Sequence, residues 1–397
     1  MKSRQKPIVI VGGGFAVMKV ALNLKRRNPS LPILVVDSES NFIFKPLMYE
    51  VLSNEVSMWE FDPEFANIFS CAGITFMKNC LTKISFKENI LEFSDELKLN
   101  YQYLILCTGS VPNTFSIKGV AENCYFFNDL KDLSNLKNFL EKFQKGLLIK
   151  KLFIVGGGPS GIELACKIND LYEDQFDIYL IEKSNEILSK NKIFNREEAE
   201  KALAKRKINV LLNSTVNEVA ENAISISNKS GINTFEKDLV IWTAGVKPNL
   251  SFLETEEIPK KNGRILVNNQ FQIENNKNCF AIGDIAIIEG MEDLPITAQV
   301  AMQEGDHLAK NIELFIQGRD TLPFEYQDNG EMISLGVGEA SISSLGVTLS
   351  GKLAFEARRL IYVSKLPDIN ESLKSASTWL LQKKSIFKQF LKHNKSN

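Results

Sequence analysis

The sequence predicts an α/β protein built on two Rossmann-like dinucleotide-binding domains. The second is inserted in the first, and a C-terminal membrane-associating region follows. Three observations predict it. Pro7-Ile-Val-Ile-Val-Gly-Gly-Gly-Phe15 runs through a helical stretch ending near Lys25 into Ile33-Leu-Val-Val-Asp37. Leu152-Phe-Ile-Val-Gly-Gly-Gly-Pro-Ser-Gly-Ile-Glu-Leu-Ala165 runs through a helix into Ile178-Tyr-Leu-Ile-Glu182. Each is a buried strand, a glycine turn, a helix and a second strand, which is one βαβ unit given twice. The third observation is the lysine-rich, amphipathic last stretch, 372–397. Segments 1–120 and 248–322 are expected to form the first domain, 121–247 the second, and 323–397 the C-terminal region.

Bulk properties narrow the function. A chain of 397 residues can bury two or three cores. A hydrophobic share of 44% and a charged share of 24% are those of a folded soluble protein. The net charge of -1 excludes a globally basic nucleic-acid binder. Six cysteines are scattered without a CxxC, and only two histidines, His307 and His393, occur. An active dithiol, a metal site and a histidine-based triad are therefore not expected, and a reducing compartment suits free thiols. The N-terminus enters a strand directly without a signal-peptide pattern. No run of roughly 18 apolar residues could span a bilayer. A cytoplasmic protein is expected.

The second glycine turn carries the stronger signal. Gly156, Gly158 and Gly161 complete GxGxxG. The first allows a tight turn, the second lets backbone approach a pyrophosphate, and the third lets helix pack on strand. Glu182, 26 residues after Gly156, ends the next strand, where a carboxylate accepts from a ribose 2′-hydroxyl. A carboxylate there repels a 2′-phosphate, so NADH is expected, with NADPH as the alternative donor.

The first turn has Gly12 and Gly14, with Asp37 placed 25 residues after Gly12 for a second ribose. Its third glycine position holds Val17. That branched side chain should push helix and sheet apart or be absorbed by a shifted helix. Phe280-Ala-Ile-Gly-Asp284 matches the motif that closes an FAD site, its aspartate meeting the ribityl chain. Leu106-Cys-Thr-Gly-Ser110 and Trp242-Thr-Ala-Gly245 are crossover signatures that end each nucleotide-binding half. FAD in the first domain and NADH in the second is the reading. Helices are further expected over about 196–207, 297–317 and 353–363, a strand at 208–212, and Gly- and Ser-rich turns after Leu322.

These residues carry a resemblance over nearly the whole chain to the type II NAD(P)H:quinone oxidoreductases, single-chain two-dinucleotide flavoproteins. Phe42-Ile-Phe-Lys-Pro-Leu-Met-Tyr-Glu-Val-Leu52, Val240-Ile-Trp-Thr-Ala-Gly-Val-Lys-Pro248 and Pro295-Ile-Thr-Ala-Gln-Val-Ala-Met-Gln303 carry it. The last is similar to the AQxAxQ element at the quinone-facing edge of the flavin. The resemblance therefore implies Gln299 and Gln303 near a quinone. It also implies Phe15, Ala16, Lys45, Thr108, Gly109, Gly283 and Ala298 at the FAD, and Ala244 and Gly245 at the NAD(P)H. Trp59-Glu60 and Leu353-Ala-Phe-Glu-Ala-Arg-Arg-Leu-Ile-Tyr362 look like the cyanobacterial and chloroplast branch. Members of that branch act on plastoquinone and naphthoquinones including demethylphylloquinone. Glu163 has two readings. One is a first-turn acid favoured by the helix N-terminus; the other, implied by the family, is a catalytic carboxylate near nicotinamide and flavin.

Without a dithiol to take electrons from the flavin, a diffusible acceptor is required, and a quinone takes two electrons and two protons. Cys166, inside the second helix, reads as core filler. The tail after Glu371 has six lysines and no acid, with Leu373, Trp379, Leu380, Phe387 and Leu391 among its apolar positions. Such a helix suits an anionic lipid surface, and Arg358 and Arg359 are expected to extend its basic face. The enzyme is thus expected to be peripheral on an inner or thylakoid membrane, and a homodimer stays open. The rival readings are a soluble reductase of a redox protein and a non-enzymatic FAD/NADH sensor.

Overall fold

The computed structural model describes residues 6–143, 150–172, 175–253 and 258–366. The chain divides into two compact units. One comprises 1–43, 62–113 and 246–328, and the other 44–61, 114–245 and 329–397.

The first unit is built on a parallel sheet in the spatial order Thr75–Lys78, Ile33–Asp37, Ile8–Val11, Tyr103–Leu106, Asn276–Ala281. In chain order this is 3-2-1-4-5, the arrangement whose switch point lies beside the first strand. Ile8–Val11 is buried along its whole length, as an all-apolar run covered on both faces must be. The helix Phe15–Arg27 buries one stripe, Ala16, Val17, Val20, Ala21 and Leu24. Val17, Val20 and Leu24 each contribute about 1.5–3 kcal/mol on burial. This helix packs against the helix Ala298–Ile316. The crossing is close enough that a Cβ on Gly305 would stand 2.6 Å from the Ala16 carbonyl oxygen. Between the third and fourth strands the chain makes an antiparallel meander, Leu81–Ser85, Ile90–Phe93 and Lys98–Asn100.

The second unit repeats the plan. Its parallel sheet runs Asn209–Leu211, Phe176–Ile181, Lys150–Val155, Leu239–Trp242. The helix Pro159–Leu171 follows the central strand, and a meander over 215–236 again precedes the fourth. Phe153, Val155, Ile181, Val240 and Trp242 meet Val216, Val219, Ile224 and Ile226 in one core. A separate antiparallel sheet, Glu331–Ser334, Ala340–Ser344 and Val347–Ser350, leads into the helix Gly351–Ser364. Ala340, Ile342, Ala354 and Phe355 close that smaller core.

The expected helices appear at Ile193–Lys205, Ala298–Ile316 and Gly351–Ser364. The segment read as turns after Leu322 holds three strands instead. Their Ser-rich alternation, as in Ala340-Ser-Ile-Ser-Ser344, is short and weakly apolar, so turn signals masked it. The segment 44–61 packs with the second unit rather than with the flanking 1–43 and 62–113. Among the described residues no helix is long and apolar enough to cross a membrane. The basic helix expected over 372–397 lies outside the described residues.

Candidate active site

In the second unit the three glycines do different work. Gly156 adopts φ +115°, and a Cβ there would meet Thr243 Oγ1 at 2.8 Å. A Cβ on Gly161 would stand 1.9 Å from the Gly156 carbonyl oxygen, so helix and turn touch backbone to backbone. Around Gly158 nothing lies within 4 Å of a built Cβ, and the turn is open on that side. The helix starts one residue later at Pro159, which needs no N–H partner at a first position. Glu182 ends its strand beside this turn. Its carboxylate accepts from the Gly157 amide at 2.7 Å and from the Ser184 amide at 2.7 Å. Thr243 Oγ1 donates to the Val155 carbonyl at 2.9 Å, which holds the Ala244-Gly245 turn against the glycine loop. The structure therefore gathers Gly156, Gly158, Gly161, Glu182, Ala244 and Gly245.

The first unit gathers its own set. Gly12 has φ +124°, and a Cβ there would collide with the Cys107 carbonyl at 2.2 Å. Gly14, like Gly158, faces open space. Helix Phe15–Arg27 begins one residue after Gly14, the same offset as in the second unit. Val17 is fully buried. At the matching position Gly161 has no room for a Cβ, whereas the first unit carries the Val17 side chain there. Phe15 packs edge-on to Phe42 at 5.3 Å. Asp37 Oδ1 accepts from the Glu39 amide at 2.7 Å, while its Oδ2 would lie 2.9 Å from a Cβ on Gly13. Burial pushes this carboxyl up to about 6. Thr108 Oγ1 donates to the Asn249 carbonyl at 2.7 Å, and the Asn249 amide donates to Gly109 at 2.9 Å. Ser110 Oγ donates to Asp284 Oδ2 at 2.6 Å. A Cβ on Gly283, which has φ +76°, would lie 3.8 Å from Ala16 Cβ. A small cleft beside the Gly283-Asp284 turn is lined by Arg264, Asp284, Thr297, Val300 and Glu304.

Ala298 opens the helix that Thr297 caps, its hydroxyl accepting from the Val300 amide at 3.3 Å. Gln299 and Gln303 follow one turn apart, both half-buried. Gln299 Nε2 donates to the Tyr326 hydroxyl at 2.8 Å. Gln303 Nε2 donates to the Gln327 carbonyl at 2.8 Å, and its Oε1 accepts from the Gln327 amide at 3.0 Å. Sequence reasoning missed Tyr326, which had no motif to mark it.

Two further expected positions, Lys45 and Glu163, both lie in the second unit. Lys45 belongs to the second unit, not to the unit of the first glycine turn, and donates to Asn128 Oδ1 at 2.8 Å. Glu163 is not a first-turn acid. It is buried, and its Oε1 accepts from the Ser334 amide at 2.7 Å and from Arg358 Nη2 at 3.4 Å. Burial pushes its carboxyl up to about 7 against the pull of Arg358.

Arg358 and Arg359 correct the sequence reading. They are 2% and 8% exposed and form no outer basic face. Arg358 pairs with Glu50, and Arg359 stands 3.9 Å from Glu60. The consecutive arginines drew attention as charge, and only the fold shows that carboxylates meet them inside.

The pyridine nucleotide-disulphide oxidoreductase family matches residues 6–305, from the first glycine turn to the Gln299–Gln303 element. The chain belongs to this family. Within it, the chain is 32% identical over 398 residues to the demethylphylloquinone reductase NdbB of Synechocystis, covering 96% of this chain and 97% of that protein. It is 30% identical to the alternative NAD(P)H-ubiquinone oxidoreductase C1 of Arabidopsis thaliana, covering 95% of this chain and 81% of the other. The structure of NDH2 from Plasmodium falciparum in complex with NADH superposes with a TM-score of 0.86 at 19% identity, covering 96% of this chain and 98% of that one. The family's mixed α/β fold is thereby established for this chain.

Proposed function

We propose that this chain is an FAD-dependent, non-proton-pumping NAD(P)H:quinone oxidoreductase. It takes hydride from NADH and passes two electrons to a membrane quinone of the plastoquinone or demethylphylloquinone kind. The observation that carries the reading is the paired βαβ turn: each unit has one glycine open to its surroundings and a strand-ending acid beside it. An open Gly14 with Asp37 and Asp284 fits FAD, and an open Gly158 with Glu182 fits NADH.

Gly12, Gly14, Phe15, Ala16, Asp37, Thr108, Gly109, Gly283, Asp284 and Ala298 would hold FAD, and Lys45 is a further residue proposed for it. Gly156, Gly158, Gly161, Glu182, Ala244 and Gly245 would hold NADH. FAD, when bound, accepts a hydride and releases two electrons. The balance is NADH plus quinone plus one proton giving NAD⁺ plus quinol. The chain's work is positioning: the half-buried Gln299 and Gln303, fixed by Tyr326 and Gln327, would orient the quinone. Glu163 would hold the proton that the hydride does not supply.

The membrane surface is the proposed place of work, reached through the basic stretch 372–397. The exposed Leu345, Val347, Leu353 and Leu360 of the second unit support it, since apolar side chains left in water favour a lipid boundary.

Steady-state oxidation of NADH and NADPH against a panel of benzo- and naphthoquinones tests the reading. Rapid turnover with quinones supports it. Turnover only with a ferredoxin- or rubredoxin-type protein would favour the soluble-reductase alternative.

A further inference from the structure

Thr114-Phe-Ser-Ile117 makes a turn in the second unit, the Ile117 amide donating to the Thr114 carbonyl at 3.0 Å. Both central residues have positive φ, +51° at Phe115 and +56° at Ser116. That is the hand of a type I′ turn, which favours Asn-Gly or Gly-Gly because a Cβ crowds the backbone there. A bulky Phe at such a φ is an outlier, and outliers of this kind gather at active sites and ligand clamps. The turn is nevertheless firmly seated. Ile117 packs on the core that contains Phe153 and Trp242, and a Cβ on Gly119 would stand 1.9 Å from the Val219 carbonyl oxygen. Phe115 itself points outward at 58% exposure, and among the described residues no other Phe, Tyr or Trp is more than half exposed.

The tip of this ring meets the Ala244-Gly245 turn. A Cβ on Gly245, which has φ +91°, would stand 3.4 Å from Phe115 Cζ and 3.8 Å from Cε2. The order of the parallel sheet says which part of a dinucleotide lies nearby. Glu182, the proposed acid for the adenosine ribose, follows Phe176–Ile181. The glycine turn that would cradle the pyrophosphate follows Lys150–Val155, the next strand across. Leu239–Trp242 lies on the far side of that strand and leads into Ala244-Gly245. A ligand laid across the C-terminal ends of these strands therefore brings its nicotinamide half to Gly245 and Phe115.

We propose that Phe115 is a binding residue for the nicotinamide half of the dinucleotide, its outward ring packing against the nicotinamide. The strained turn holds the ring in place beside Gly245, where a glycine leaves it room. The inference rests on the NADH reading of the second glycine turn and deepens it, because it assigns the end of the ligand that the glycines and Glu182 leave unassigned.

The test is calorimetric binding of two ligands to the FAD-loaded full chain. One is tetrahydro-NAD, an NADH analogue whose ring gives up no hydride; the other is ADP-ribose, which lacks the nicotinamide. Phe115→Ala should weaken tetrahydro-NAD about three- to tenfold, the worth of one aromatic contact, and leave ADP-ribose unchanged. Phe115→Tyr keeps the ring and should bind both ligands as the parent does. Phe115→Gly also frees the backbone at the positive φ, so it should melt above Phe115→Ala yet show the same loss for tetrahydro-NAD. Equal losses for the two ligands, no loss for either, or affinity regained in Phe115→Gly would overturn the proposal, because the turn rather than the ring would then be at work. A parent chain that binds neither ligand would instead overturn the NADH reading itself, and this inference with it.

Discussion

Glu304 accepts a hydrogen bond from the amide of Gly283 at 2.5 Å, tying the long helix Ala298–Ile316 to the turn that presents Asp284. The carboxylate is buried, so its removal leaves the amide without a partner. Glu304→Ala should destabilise the protein by about 1–3 kcal/mol. It should also speed flavin release at least tenfold. Thermal unfolding and flavin fluorescence on dilution check both effects. An unchanged release rate would show that this contact does not steady the Asp284 turn.

Burial pushes the Glu304 carboxyl up to about 7, above its ordinary 4.5. The folded state therefore binds this proton more tightly than the unfolded chain. The stability it contributes is complete below about pH 4.5 and is lost as pH rises through about 7. Relative to Glu304→Gln, which keeps one acceptor and no charge, the parent should lose up to about 1.4 kcal/mol per pH unit across that window. Denaturant unfolding of both proteins from pH 5 to 8 measures the difference. Parallel curves would contradict it.

Gly14 and Gly158 make a paired experiment. Both have negative φ and open surroundings, so alanine fits either fold without strain. Gly14→Ala should fold normally but purify with much reduced flavin. Gly158→Ala should stay yellow while the KM for NADH rises at least tenfold. Gly161→Ala is the control for packing: its methyl would stand 1.9 Å from a backbone oxygen, so it should lower the melting temperature as well.

Glu182 is the residue proposed to set the choice of nucleotide. Removing its charge in Glu182→Gln keeps an acceptor for the Gly157 amide while ending repulsion of a 2′-phosphate. The NADH-over-NADPH preference in kcat/KM should drop about tenfold, equivalent to about 1.4 kcal/mol. A preserved preference would place the selectivity elsewhere.

The parts of this molecule legible in sequence were those encoded by local geometry. Gly12, Gly156 and Gly161 announce backbone contacts that only glycine permits, and the acids Asp37 and Glu182 follow at fixed spacing. The alternating strands between 331 and 350 were hidden because Ser and Gly there read as turns, while pairing across the sheet decides their state. Arg358 and Glu50 lie 308 positions apart, and no periodicity links residues so distant. Glu163 was legible as an acid with two readings, but its partners Ser334 and Arg358 were not, since they arrive from other segments.

Rapid mixing tests the central claim most directly. The purified, FAD-loaded chain is mixed anaerobically with NADH and then with a short-chain naphthoquinone while flavin absorbance is followed. The account predicts prompt bleaching by NADH and full recovery of colour on quinone addition. A protein that is colourless and takes up no added flavin, or whose bleached flavin is left unchanged by every quinone tried, would contradict it.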